Sequence, residues 1–142
     1  MNPVQEANER QGATTFKGNP LTLVGSELKP GDKAPDFEVV DGTLQPFNLE
    51  KTGSGVRIFS VLPSLDTPVC DMQTKRFNTE AAQLPNVQIF TISMDLPFAQ
   101  KRYCDAFAVD KVKMLSDHKL GSFGAAGWRR WPRSSRCRCG PG

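Results

Sequence analysis

VRIFSVLPSLDTPVCDMQTKRFN, residues Val56–Asn78, decides the fold. Its first eight residues are almost continuously apolar, the texture of a strand covered on both faces, and Pro63 ends the run because it cannot donate to a strand ladder. A helix is then announced by Thr67 at the N-cap and Pro68 at the first helical position. It is expected to run from Pro68 to about Gln83, with Phe77, Ala81 and Leu84 as its apolar stripe, until Pro85-Asn86 breaks it. The alternation then repeats. VQIFTISM, Val87–Met94, reads as a second buried strand, and Asp95 and Pro97 mark a helix continuing to about Phe107. Val112–Leu115 reads as a short strand and Lys119–Ala126 as a short helix. This order predicts an α/β fold with a parallel pair of strands at its centre and right-handed crossovers.

Upstream, TTFKGNPLTLVG predicts a hairpin, Thr14–Lys17 against Leu21–Val24, turning at Gly18, Asn19 and Pro20. Residues 1–13 are polar and are expected to be disordered. LKPGDKAP is a loop. Phe37–Val40 and Thr43–Leu49 read as short strands around the Asp41-Gly42 turn, and Pro46 confines the second to a sheet edge.

The chain has 142 residues, 38% of them hydrophobic and 23% charged, enough for one domain with a core of its own. No apolar run reaches the roughly 18 residues of a membrane span. The polar opening MNPVQEANER is no secretory signal, so a cytoplasmic location with reduced cysteines is expected. The net charge of +3 is uneven. Five arginines and no acid lie between Trp128 and Gly142, whereas residues 1–127 carry 13 basic and 15 acidic groups. The body is therefore no basic nucleic-acid binder. Residues 127–142, GWRRWPRSSRCRCGPG, have neither helical nor strand period and contain no Ile, Leu or Val.

Four cysteines are present, Cys70, Cys104, Cys137 and Cys139, with no C-x-x-C pair among them, so a dithiol oxidoreductase of the thioredoxin type lacks its motif. Cys70 falls at the third helical position after Thr67-Pro68, in the first turn, where free N–H groups and the helix dipole favour an anion. An ordinary thiol is only about 3% thiolate at pH 7, and making it mostly thiolate takes roughly 3.4 kcal/mol. A helix end supplies at most about 2 kcal/mol, so a cation or further hydrogen bonds are required. Arg57 heads the preceding strand, too far along it to be that cation. The alternative for Cys70 is a buried structural thiol, which its place at a helix start disfavours.

Two motifs carry a resemblance. Ser60–Asn78, SVLPSLDTPVCDMQTKRFN, resembles the peroxidatic-cysteine segment of the thiol peroxidases, which are atypical 2-Cys peroxiredoxins. Ser93–Cys104, SMDLPFAQKRYC, resembles the resolving-cysteine helix of the same family, and FKGNPLTLVG its N-terminal hairpin. The resemblance covers residues 14–126, with the two cysteines 34 positions apart. It implies a thioredoxin-like peroxiredoxin fold, with Cys70 as peroxidatic cysteine and Cys104 as resolving cysteine. Thr67 would be the hydroxyl that bonds thiolate and peroxide, and Pro63 the proline shielding the sulfur. It further implies a hydroperoxide substrate, thioredoxin as reductant, a Cys70–Cys104 disulfide, a homodimer, and no cofactor or metal. The family continues with two more strands, an arginine near the cysteine and a closing helix. Nothing after Ala126 is similar to these, so the domain is expected to lack its last strands and helix, and the tail reads as a truncation or a frame-shifted end.

Two competing functions follow from the same residues. One is an inactive thioredoxin-like fragment. The other is polyanion binding by the tail, with Trp128 and Trp131 stacking among arginines. Cys137 and Cys139 with a distant His118 make a poor zinc site. His118 is expected at the surface, Asp66 in a turn or cap, Lys101-Arg102 on a solvated face, and Phe98, Tyr103 and Phe107 in the core or at a dimer contact.

Overall fold

A computed structural model of the chain describes residues 9–24 and 27–119. The expected helix at Lys119–Ala126, the tail 127–142 and its two cysteines fall outside these apart from Lys119.

The N-terminal hairpin pairs β1 (Glu9–Phe16) with β2 (Asn19–Val24). The strand begins at Glu9, so residues 9–13 are ordered in β1 rather than disordered. Phe16 faces Asn19 across the pair, leaving Lys17 and Gly18 as the two-residue turn, both at positive φ. Such turns match the twist of the strands they join, so Asn19 and Pro20 belong to β2 rather than to the turn. Arg10 Nη1 lies 3.9 Å from Glu27 Oε1, just past the hairpin.

The main sheet has five strands: β3 (Glu38–Val40), β4 (Pro46–Asn48), β5 (Val56–Val61), β6 (Val87–Ser93) and β7 (Lys113–Ser116). Their order is β4-β3-β7-β6-β5, with β5, β6 and β7 parallel and β3 antiparallel to both neighbours. α1 (Pro68–Ala81) connects β5 to β6 and α2 (Pro97–Phe107) connects β6 to β7. α1 stops at Ala81, short of Gln83, so Leu84 lies beyond the helix and is exposed rather than part of its stripe.

Residues alternate across β6 and sort the core into two layers. Phe90 and Ile92 join Phe37, Val39, Phe47 and Leu115 on one face. Ile89 joins Leu62, Leu65, Tyr103, Val109 and Val112 on the other, against which Phe77 and Ala81 of α1 also pack. Pro46 sits in an edge strand, as its missing donor requires. β5 is less covered than the doubly covered strand its sequence suggests, with only Ser60 of its six residues buried. Among the described residues it is the opposite edge, and Val56 is 60% exposed.

Candidate active site

Parallel strands carried in register end together, and the site is built at that shared end. Val61 of β5 pairs with Ile92 of β6, and Ser93 pairs with Ser116 of β7. The chain leaving β5 is fastened to the chain leaving β6. Leu62 N donates to Ile92 O at 2.9 Å and Met94 N donates to Pro63 O at 3.3 Å. Asp95 does most of the fastening. Its carboxylate accepts from Ser64 Oγ and from Leu65 N, both at 2.8 Å, while its carbonyl accepts from Ser116 Oγ. Hydrogen bonds to a charged acceptor are the stronger kind, so one side chain fixes the turn that delivers the helix start.

That turn runs Ser64–Thr67 and places Cys70 at the third residue of α1, half-buried and free. Thr67 is the N-cap in backbone conformation, φ −85° and ψ 141°, but its hydroxyl does not cap the helix. It donates instead to Ser64 O at 3.1 Å. The reason is local: the turn brings Ser64 O within reach of both Thr67 N and Thr67 Oγ1. Asp71 N closes the first helical bond onto Thr67 O at 2.9 Å. Pro63 is exposed just past the end of β5, and Asp66 is exposed within the turn.

Cys104 occupies the eighth of the eleven residues of α2, in its last turn. It too is half-buried and free, and it packs against the same apolar cluster as Cys70. Burial, and then the Asp105 carboxylate, push its thiol up, against a smaller downward pull from Lys101. The two cysteine helices also touch through their neighbours. Tyr103 Oη donates to Asp71 Oδ1 at 2.8 Å, and Lys75 Nζ lies 2.8 Å from the same oxygen.

Arg57 is engaged at the far end of the sheet, donating to Thr52 Oγ1 at 2.8 Å and Gly53 O at 3.1 Å, as its position in β5 foretold. His118 is half-buried with Nδ1 2.8 Å from Ser116 Oγ, rather than a free surface residue. Lys101 and Arg102 are exposed, with Lys101 paired to Asp105 at 2.6 Å. Of the three aromatics on α2, Tyr103 is core, whereas Phe98 and Phe107 are exposed. Sequence reasoning gave Asp95 only a helix-start role and missed its hold on the Cys70 turn. An acid following a buried parallel strand, level with a turn on its neighbour, was the available signal. No group of three or more metal-ligating side chains occurs among the described residues.

A half-buried thiol in the first turn of a βα unit, with a second thiol on the following helix, defines a thiol-based redox protein on a thioredoxin-like sheet. A solved peroxiredoxin-like protein from Aquifex aeolicus is similar to this chain with a TM-score of 0.68 and 44% identity, over 78% of this chain and 65% of that one. The Redoxin family model matches residues 29–135, nine residues past the point where the sequence resemblance ends. The thiol peroxidase of Bacillus subtilis (strain 168) is 57% identical over 112 residues, and that of Halalkalibacterium halodurans is 54% identical over 112 residues. Each match covers 79% of this chain, and 67% and 68% of the relative, so the chain spans about two thirds of the length of these relatives. The chain belongs to the Redoxin family and, within it, to the thiol peroxidases, thiol-dependent enzymes of peroxide reduction.

Proposed function

We propose that this chain reduces hydrogen peroxide and organic hydroperoxides with Cys70 as nucleophile and Cys104 as resolving thiol. The observation that carries the reading is the placement of Cys70 at the third position of α1, held by the Asp95-fastened turn, with Cys104 packed on the same cluster. Backbone N–H groups of the first turn and the helix dipole stabilise a thiolate there. The thiolate attacks the O–O bond and takes one oxygen, becoming a sulfenic acid and releasing an alcohol or water once the leaving oxygen is protonated. Thr67 Oγ1, turned toward Ser64 O in this state, is the hydroxyl that orients the peroxide, and Pro63 shields the sulfur. The Cys104 thiol then condenses with the sulfenic acid, forming a Cys70–Cys104 disulfide and water. The bond closes a 34-residue interval, worth roughly 3–4 kcal/mol against the unfolded chain. A thioredoxin-type dithiol restores both thiols by exchange. The working form is a cytoplasmic homodimer that uses no cofactor.

The test is peroxide consumption coupled to thioredoxin and its reductase. Cys70→Ser is expected to abolish turnover, and Cys104→Ser to permit one reduction event per chain without recycling. Full turnover by Cys70→Ser overturns the assignment.

A further inference from the structure

Four side chains close a ring between the two cysteine helices. Asp71 and Lys75 stand four residues apart on α1, Tyr103 and Phe107 four apart on α2, so each pair shares one helix face. Tyr103 Oη donates to Asp71 Oδ1 at 2.8 Å. Lys75 Nζ lies 2.8 Å from Asp71 Oδ1 and 3.7 Å from the Phe107 ring centroid. The Tyr103 and Phe107 ring centroids are 4.9 Å apart. Tyr103 is only 7% exposed, and its phenol is the one hydroxyl that crosses from α2 to the first turn of α1 among the described hydrogen bonds.

We propose that the Tyr103–Asp71 bond is a clamp that holds α1 and α2 in their reduced arrangement, and that its opening sets how fast Cys104 reaches oxidised Cys70. The proposal rests on the Cys70–Cys104 reading above and makes Tyr103 a positioning residue for the second step. Asp71 follows Cys70 and Tyr103 precedes Cys104 directly in sequence. Adjacent helical side chains point about 100° apart, so helices that present Asp71 and Tyr103 to each other turn Cys70 and Cys104 off that line. A disulfide brings its Cα atoms within about 7 Å and its sulfurs to about 2.05 Å. Presenting the sulfurs instead requires the first turn of α1 or the last turn of α2 to rotate or unwind, and either movement draws Tyr103 off Asp71.

The ring is built to persist until then. Lys75, and next Tyr103, hold the Asp71 carboxyl below the usual carboxylate range, so the acceptor stays ionised at neutral pH. Burial, and next Asp71, push the Tyr103 phenol up, so the donor keeps its proton. A second tie lies about two turns further along α1, where Asn78 Oδ1 accepts from Asp110 N at 3.0 Å and Lys111 N at 2.7 Å. It joins α1 to the loop that follows α2 and involves none of the ring residues, so the clamp can open while that loop stays held on α1.

Opening matters because the sulfenic acid has two fates. Condensation with the Cys104 thiol gives the disulfide and water. A second hydroperoxide molecule instead transfers an oxygen to it, giving a sulfinic acid and an alcohol or water. A tight clamp prolongs the life of the sulfenic acid and favours the second fate at high peroxide.

The experiment is quench-flow mass spectrometry on the full chain, which separates sulfenic acid, disulfide and sulfinic acid after mixing with hydrogen peroxide. Tyr103→Phe keeps the ring in the core and removes only the hydroxyl. It is expected to form the Cys70–Cys104 disulfide roughly tenfold faster, the factor that about 1.4 kcal/mol gives, and to yield correspondingly less sulfinic acid. Its first oxidation step is expected to change less than twofold. Asp71→Asn, which leaves the buried ring untouched, is expected to show a smaller acceleration and keeps the test alive should Tyr103→Phe fail to fold. Unchanged resolution in both variants, or equal slowing of both steps, overturns the clamp. A wild-type chain that never links Cys70 to Cys104 overturns the underlying reading, and the clamp with it, in an arm that contains no variant.

Discussion

Cys70 and Cys104 carry the same side chain at opposite ends of two helices. Cys70 lies in the first turn of α1, where unpaired N–H groups collect, and Cys104 in the last turn of α2, where unpaired carbonyls collect. Both are half-buried against one cluster, so burial alone does not separate them. Helix polarity does, together with the charge next in sequence. Asp105, after burial, pushes the Cys104 thiol up, whereas the acid beside Cys70, Asp71, is occupied by Lys75 and Tyr103. Cys70 has first-turn N–H groups beside it, whereas burial and Asp105 keep the Cys104 thiol protonated. In the proposed two-step reduction the first step needs an ionised attacker, and a partner that keeps its proton until then does not compete with it for the peroxide.

The largest effects come from exchanging the two roles. Serine at 70 removes the attacker and is expected to stop turnover, whereas serine at 104 spares the first event, as the coupled assay above reads.

Next in size is the support under the attacker. Asp95→Ala removes both carboxylate bonds to the Ser64–Leu65 turn. The loss is expected to lower stability by about 1.5–3 kcal/mol in urea unfolding. Peroxide reduction should fall more than tenfold, because the turn no longer fixes the helix start. A variant that loses stability but keeps the wild-type rate of Cys70 oxidation contradicts the role given to Asp95.

A smaller effect sharpens the waiting partner. With its thiol pushed up in the folded state, Cys104 holds its proton more tightly there than in the unfolded chain. The stability this gives is complete below the ordinary thiol value and is lost as pH rises through the raised one. In a Cys70→Ser chain, peptide-resolved alkylation of Cys104 by iodoacetamide is expected to lag behind that of the urea-unfolded chain at pH 8, the gap closing only at more alkaline pH. Equal rates at pH 8 remove the asymmetry between the two cysteines.

The elements that position the site were legible because they obey local rules. The apolar run at Val56, Pro68 at the head of a helix, and Pro97 at the head of the next are short-range signals, and α1, β6 and α2 lie within a few residues of where they point. Turns were read less well. Lys17 occupies a positive-φ turn position for which its side chain gives no sign, and the pairing of Phe16 with Asn19 decides it. Polarity likewise hid β1 from Glu9 to Ala13, which is held by its partner strand rather than by apolar content.

Of the site, Cys70 and Cys104 were readable from their place on helices, whereas the groups that hold those helices were not. Asp95 and Leu65 are 30 residues apart, and Tyr103 and Asp71 are 32 apart. Such pairs exist only once strand register and helix packing are fixed. Thr67 shows the reverse case: its sequence says side-chain cap, but the turn offers its hydroxyl Ser64 O instead.

The most direct measurement traps the sulfenic acid itself. A Cys104→Ser chain treated with one equivalent of hydrogen peroxide in the presence of dimedone, then digested and mapped, is predicted to carry the adduct on Cys70. A Cys70→Ser chain treated alike is predicted to carry none on Cys104. An adduct on Cys104 at comparable rate, with Cys70 unmodified, contradicts the assignment of attacker and partner.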